Sequence, residues 1–97
     1  MVPPGANLLT RLNAIVTNRL GLHARAAARF VHVAHAFVSR IRVAKDGVEV
    51  DGKSILGLLT LAAPKGSRLA ITIEGPDEPA AAETIGKLIG SGFGEAD

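Results

Sequence analysis

Four stretches of the chain carry the marks of strands and three the marks of helices. Leu12-Asn-Ala-Ile-Val-Thr17 is β-branched and mostly apolar, which predicts a first strand over about 11–17. Ala27, Phe30, Val31, Ala34 and then Phe37 or Val38 recur at i, i+3, i+4 and i+7, the apolar stripe of a helix over about 24–37. Ser39-Arg-Ile-Arg-Val-Ala44 and Val48-Glu-Val-Asp51 alternate in polarity around Asp46-Gly47, a strong hairpin signal. Ser54 can cap a short second helix in which Ile55, Leu58 and Leu61 face inward. Leu56 and Leu59 then fall on another side, and a domain of this size is expected to leave them as an exposed apolar patch. Ser67-Arg-Leu-Ala-Ile-Thr-Ile-Glu74 alternates again as a fourth strand. A third helix is expected from about Glu78 to Ile89, burying Ala81 or Ala82, Ile85, Leu88 and Ile89. Gly90, Gly92 and Gly94 end it, and Phe93 to Asp97 is expected to be only partly ordered. The order βαββαβα, with alternating rather than continuously apolar strands, predicts an α+β fold. It is a mainly antiparallel sheet with helices on one face: two layers, open on the other side.

Between the first strand and the first helix lies Asn18-Arg-Leu-Gly-Leu-His-Ala-Arg-Ala26. Gly21 permits a turn, and strong helix formers begin at Ala24, so His23 falls at the helix N-cap. Ser, Thr, Asp and Asn are preferred there, so histidine suggests a purpose other than capping. A solvent-exposed loop histidine fits the spacing equally well. The first N–H groups of a helix lack partners within it, and with the macrodipole they attract anions. The same positive end disfavours an imidazolium, leaving a neutral ring whose lone pair is nucleophilic. Arg25 adds a permanent cation able to fork onto phosphoryl oxygens. Nucleophile, amides and guanidinium together are the parts needed to receive a phosphoryl group, with the N–H groups of Ala24, Arg25 and Ala26 as the cradle.

Composition narrows the alternatives. The chain has 97 residues, of which 47% are apolar, enough for one small core. Three Phe and no Tyr or Trp make that core aliphatic and leave no platform for stacking bases. The net charge of +2 comes from scattered Lys and Arg, with no clustered basic face for nucleic acid. The absence of Cys excludes disulfides and thiolate chemistry and fits a reducing compartment. No apolar run approaches the roughly 18 residues of a membrane span, and residues 1–10 lack the features of a signal peptide. They read as a flexible leader, rich in Pro and Gly, before a single domain over 11–95; the expectation is a cytoplasmic protein that does not insert into membranes. His32 and His35, at i,i+3, are close enough to share a metal but have no third ligand nearby, so they read as solvated surface histidines. No metal and no cofactor are expected.

Gly21-Leu-His-Ala-Arg25 before a helix, with Asp51-Gly-Lys-Ser-Ile-Leu-Gly57 some thirty residues on, resembles the HPr family. These are the histidine-containing phosphocarriers of the phosphoenolpyruvate-dependent phosphotransferase system. The resemblance covers about residues 11–95. It implies an open-faced β-sandwich with a four-stranded antiparallel sheet, order 1-4-2-3, and three helices on one face. It implies a phosphocarrier with a transient phosphohistidine, not an enzyme. His23 would take the phosphoryl group on Nδ1 from phosphorylated enzyme I and give it to an enzyme IIA domain in sugar uptake, with Arg25 as phosphoryl stabiliser. Ser54 corresponds to a serine that in some lineages a dedicated HPr kinase/phosphorylase marks, and Leu56 and Leu59 to the docking surface. A monomer is expected. The alternative is a regulatory relative in a nitrogen-related branch of the pathway; retention of His23 favours the carrier. One departure stands out: Ala26 occupies a position where many members have proline. Alanine restores an N–H that can itself face an anion.

Overall fold

The computed structural model describes residues 8–95. The elements run β1 (Leu9–Ile15), α1 (Ala24–Ala34), β2 (Arg40–Lys45), β3 (Val48–Asp51), α2 (Ile55–Thr60), β4 (Arg68–Glu74) and α3 (Glu78–Gly90), followed by a 3₁₀ turn at Gly92–Gly94. The strands form one antiparallel sheet in the order β1-β4-β2-β3, open at both edges. The central strand β4 buries Leu69, Ile71 and Ile73 on the helix side. Leu12 and Val43 flank Ile71, and Thr10 and Ile41 flank Ile73. Against that surface pack Phe30 and Val31 of α1, Leu58 and the adjoining Leu61 at α2, and Ile85 and Ile89 of α3, all buried. The α+β, open-faced arrangement expected from the sequence is the one observed.

Several boundaries differ. The first strand spans Leu9–Ile15 rather than 11–17. Its alternation places Thr10, Leu12 and Ala14 toward the helices, and pairing with β4 starts as early as Leu9 with Glu74. Residues 1–7, most of the expected leader, lie outside the described chain. Helix α1 stops at Ala34, three residues short of the predicted end. Beyond it the Ala36 and Phe37 amides bond the carbonyls three residues back, a tightened last turn. The Asp46-Gly47 hairpin forms as predicted, with φ of 52° and 84° at the two residues, the paired positive values a two-residue turn requires.

Two departures bear on function. Ile55, expected inward, is 40% exposed. It occupies the first turn of a six-residue helix lying over the short edge strand β3, where neighbours cover only part of the side chain. The expected loose tail is also folded as far as Glu95. Phe93, with φ of 58°, is fully buried in the core, and a bond of 2.7 Å from Arg29 Nη1 to its carbonyl fastens the turn to α1. A large apolar side chain between two glycines supplies the reason: Gly92 and Gly94, both with positive φ, let the backbone reverse, and burial of the ring secures the reversal. Residues 96–97 lie outside the described chain.

Candidate functional site

His23 is the N-cap of α1, with extended backbone at φ −79°, and its side chain makes no capping bond. The first helical bond runs from the Ala27 amide to the His23 carbonyl, at 2.8 Å. The amides of Ala24, Arg25 and Ala26 therefore have no acceptor among the described residues. Helix α2 is the contrast within the same molecule: there the Ser54 hydroxyl accepts the Gly57 amide at 3.0 Å, as a capping serine should. One helix start is closed by its own side chain; the other keeps three donors for something else.

The loop before His23 is fixed by steric necessity. Gly21 has φ of +70°, and a Cβ on it would come within 2.5 Å of the Ala63 carbonyl oxygen. The Leu22 amide bonds that same oxygen at 2.9 Å, pinning the loop against the α2–β4 connection. Leu20, Leu22, Ala62, Ala63 and Pro64 line a shallow depression beside the imidazole. Asn18 is almost fully buried and bridges the site: its Nδ2 donates to the Gly21 carbonyl at 2.8 Å and to Glu95 Oε1 at 2.7 Å.

The imidazole itself is 27% exposed, and its Nε2 lies 2.5 Å from Glu95 Oε2. The Glu95 carboxyl is held below its usual range, chiefly by the Asn18 amide and then by the His23 contact and the charge of Arg29, against a partial desolvation that acts the other way. Arg25 is exposed and makes no hydrogen bond or ion pair among the described residues. Ala26 is fully buried, so this first-turn residue serves packing with its methyl while its N–H stays unbonded.

The structure thus brings His23, Arg25 and the N–H groups of Ala24, Arg25 and Ala26 to one helix start. Leu56 and Leu59, at 77% and 36% exposure, form the expected apolar patch on α2 together with Ile55. Ser54 is half-buried and engaged as a cap. His32 and His35 are exposed on and just past α1, and no group of three or more His, Cys, Asp or Glu among the described residues could hold a metal. No helix among these residues is long and apolar enough to cross a membrane. Sequence reasoning missed Glu95, Asn18 and Arg29. The signal for the first was Phe93, a large apolar residue in an otherwise small and polar tail; nothing local marks Asn18 or Arg29.

A sequence model described as the PTS HPr component phosphorylation site matches residues 11–91. The chain belongs to the HPr family. HPr of Cupriavidus necator is 43% identical over 82 residues, covering 84% of this chain and 92% of that one. HPr of Treponema pallidum is 45% identical over 80 residues, covering 82% and 91%. The crystal structure of a His-tagged HPr from Thermoanaerobacter tengcongensis superposes with a TM-score of 0.87 at 40% identity, covering 91% of this chain and 99% of that one. Family membership makes the chain a phosphocarrier of the phosphotransferase system. Like other HPr folds it carries a four-stranded sheet in the order 1-4-2-3 with three helices on one face.

Proposed function

We propose that His23 accepts a phosphoryl group on Nδ1 from phosphorylated enzyme I, charged in turn from phosphoenolpyruvate, and passes it to an enzyme IIA domain in sugar uptake. The observation that carries this reading is the uncapped start of α1: a partly exposed imidazole next to three amides without acceptors and an unengaged guanidinium. In transfer the Nδ1 lone pair forms the N–P bond while the bond from phosphorus to the donor breaks, and the electron pair leaves with the donor. Arg25 and the amides of Ala24, Arg25 and Ala26 neutralise the phosphoryl oxygens. The chain turns nothing over by itself; it holds the group between partners as a cytoplasmic monomer. Leu56 and Leu59, with Ile55, offer those partners an exposed apolar docking patch on α2, which packs against the helix that His23 caps. Phosphorylation of Ser54 by an HPr kinase/phosphorylase would add roughly −1.5 to −2 charges at the rim of that patch and regulate docking.

The test is labelling with enzyme I and phosphoenolpyruvate. One acid-labile, base-stable phosphoryl group per chain is expected. It should disappear in His23→Ala and persist in His32→Ala and His35→Ala. Label that survives His23→Ala unchanged overturns the assignment.

A further inference from the structure

We infer that the open face of the sheet is a separate docking surface, and that it takes a carboxylate-rich segment of a partner protein. Arginine is scattered along the chain, but the strand register gathers four of these residues on the side away from the helices. Alternation turns Arg11 of β1, Arg40 and Arg42 of β2 and Arg68 of β4 outward, because their neighbours Leu12, Ile41, Val43 and Leu69 turn in. Arg11, Thr72 and Arg42 share one row across β1, β4 and β2. The next row holds Asn13, Ala70 and Ala44, and beyond it Arg68 stands beside Ile15. Long cationic side chains thus rim a floor of short uncharged ones, which leaves room for a partner to come close to the strands.

Charge decides what this surface takes. Arg11, Arg40 and Arg68 are exposed and make no hydrogen bond or ion pair among the described residues, and the Thr72 hydroxyl is likewise unbonded. Arg42 alone of the four is partnered, to Glu49 at 3.3 Å, with both side chains still partly exposed. Guanidinium groups with a hydroxyl between them suit carboxylates, which they bind bidentately. Arg11 and Arg42 lie two strand spacings apart, about 10 Å, a span for neighbouring acidic side chains of one segment. Three carboxylates share the face: Glu74 opposite Arg40, and Asp51 and Glu49 along the β3 edge. They oppose a continuous polyanion such as nucleic acid or an anionic membrane, whose charge would run on over them. A short acidic segment can lie across β1, β4 and β2 and stop before β3. Leu9 and Ile15, 41% and 44% exposed at the two ends of β1, add apolar contact at its margin. The helices cover the other side of the sheet, so a partner held here leaves His23, at the start of α1, free to exchange its phosphoryl group.

The probe is a synthetic polyglutamate peptide, titrated at low salt into the isotope-labelled full-length chain and followed by NMR. Amide shifts are expected at Arg11, Ala70, Thr72 and Arg42, with affinity falling as salt rises. Arg11→Glu and Arg68→Glu should each weaken binding several-fold, and together about tenfold. Lys87→Glu makes the same change in net charge on the exposed side of α3 and should leave binding as in wild type. Circular dichroism establishes that each variant is folded, and Arg11→Gln with Arg68→Gln repeats the comparison without reversing charge. Labelling of His23 by enzyme I and phosphoenolpyruvate should be unchanged in Arg11→Glu and Arg68→Glu. No shifts, shifts confined to the start of α1, or an equal loss in Lys87→Glu overturn the inference. Loss of labelling in a folded Arg11→Glu overturns the separation of the two surfaces. Tighter binding of a DNA oligonucleotide or of phosphatidylglycerol vesicles than of the peptide overturns the acidic segment as occupant.

Discussion

Arg25 and Asn18 are both polar residues at the site, and burial gives them opposite duties. Arg25 is exposed and bonds nothing among the described residues, so its charge is available and its removal disturbs little packing. Arg25→Ala is therefore expected to leave the melting temperature within a few degrees of wild type. It should slow phosphoryl transfer on the order of tenfold to a hundredfold, the value of one charge-assisted hydrogen bond made to the moving group. Stopped-flow transfer from enzyme I and a thermal melt measure the two effects separately; a large loss of stability with unchanged transfer would contradict the assignment. Asn18 is buried, and its Nδ2 holds Gly21 and Glu95 at once. Replacing it by Asp would set a second carboxyl against Glu95 where a donor now stands. Asn18→Asp is expected to raise the Glu95 pKa and to lower stability at neutral pH, with part of the loss recovered as pH falls and a carboxyl takes a proton. Urea midpoints at two pH values would show the sign.

At the scale of elements, α1 and α2 show how one local rule serves opposite ends. Ser54 closes the start of α2, so Ser54→Asp keeps a capping acceptor while adding charge beside Ile55 and Leu56. Binding to enzyme I should weaken in this variant by titration calorimetry while the fold persists, and equal affinity would remove the α2 patch from the docking surface. The other decisive link joins the start of β2 to α3. The Asp77 carboxylate accepts the Ser39 hydroxyl and the amides of Val38 and Ser39, the amides at 2.9 and 3.0 Å. Its pKa is lowered from 3.8, first by the hydroxyl and then by the amides. A depressed carboxyl contributes stability that is complete above the unfolded-state value and lost as pH falls through the folded-state value. Asp77→Asn should thus be less stable than wild type at neutral pH, with the gap closing below about pH 4. These links explain what could and could not be read from the sequence. Alternation around Ile71 and Val43, the Asp46-Gly47 turn and the α1 stripe are local patterns, and each element they predict is present. The predicted end of α1 overshoots because Phe37 and Val38 continue the periodicity after the backbone has tightened into its last turn. Asp77 with Ser39 and Asn18 with Glu95 are partnerships across dozens of residues, which no spacing rule reports.

For the whole molecule, the core and the candidate site share one piece of chain. The segment Gly92 to Glu95 places Phe93 under the helices and, two residues on, a carboxylate against His23. A 97-residue domain has a modest core, so one fully buried aromatic is a sizeable share of it. Phe93→Ala removes that ring and leaves a cavity, at a cost of about 3–5 kcal/mol. Glu95→Ala removes a half-buried carboxylate and leaves the ring in place. The two variants are expected to separate what the fold joins. In urea denaturation Phe93→Ala should show a much lower midpoint, and in the folded fraction it should also lose the slowly exchanging His23 Nε2–H that nitrogen-edited NMR is expected to show where the ring meets Glu95 in wild type, because the turn that carries Glu95 is no longer anchored. Glu95→Ala should lose the N–H while keeping a midpoint close to wild type. If Phe93→Ala instead kept the N–H despite its lost stability, Asn18 and the Gly92 carbonyl alone would be holding the carboxylate. The coupling between core and site would then run through the hydrogen bonds of the loop rather than through the buried ring.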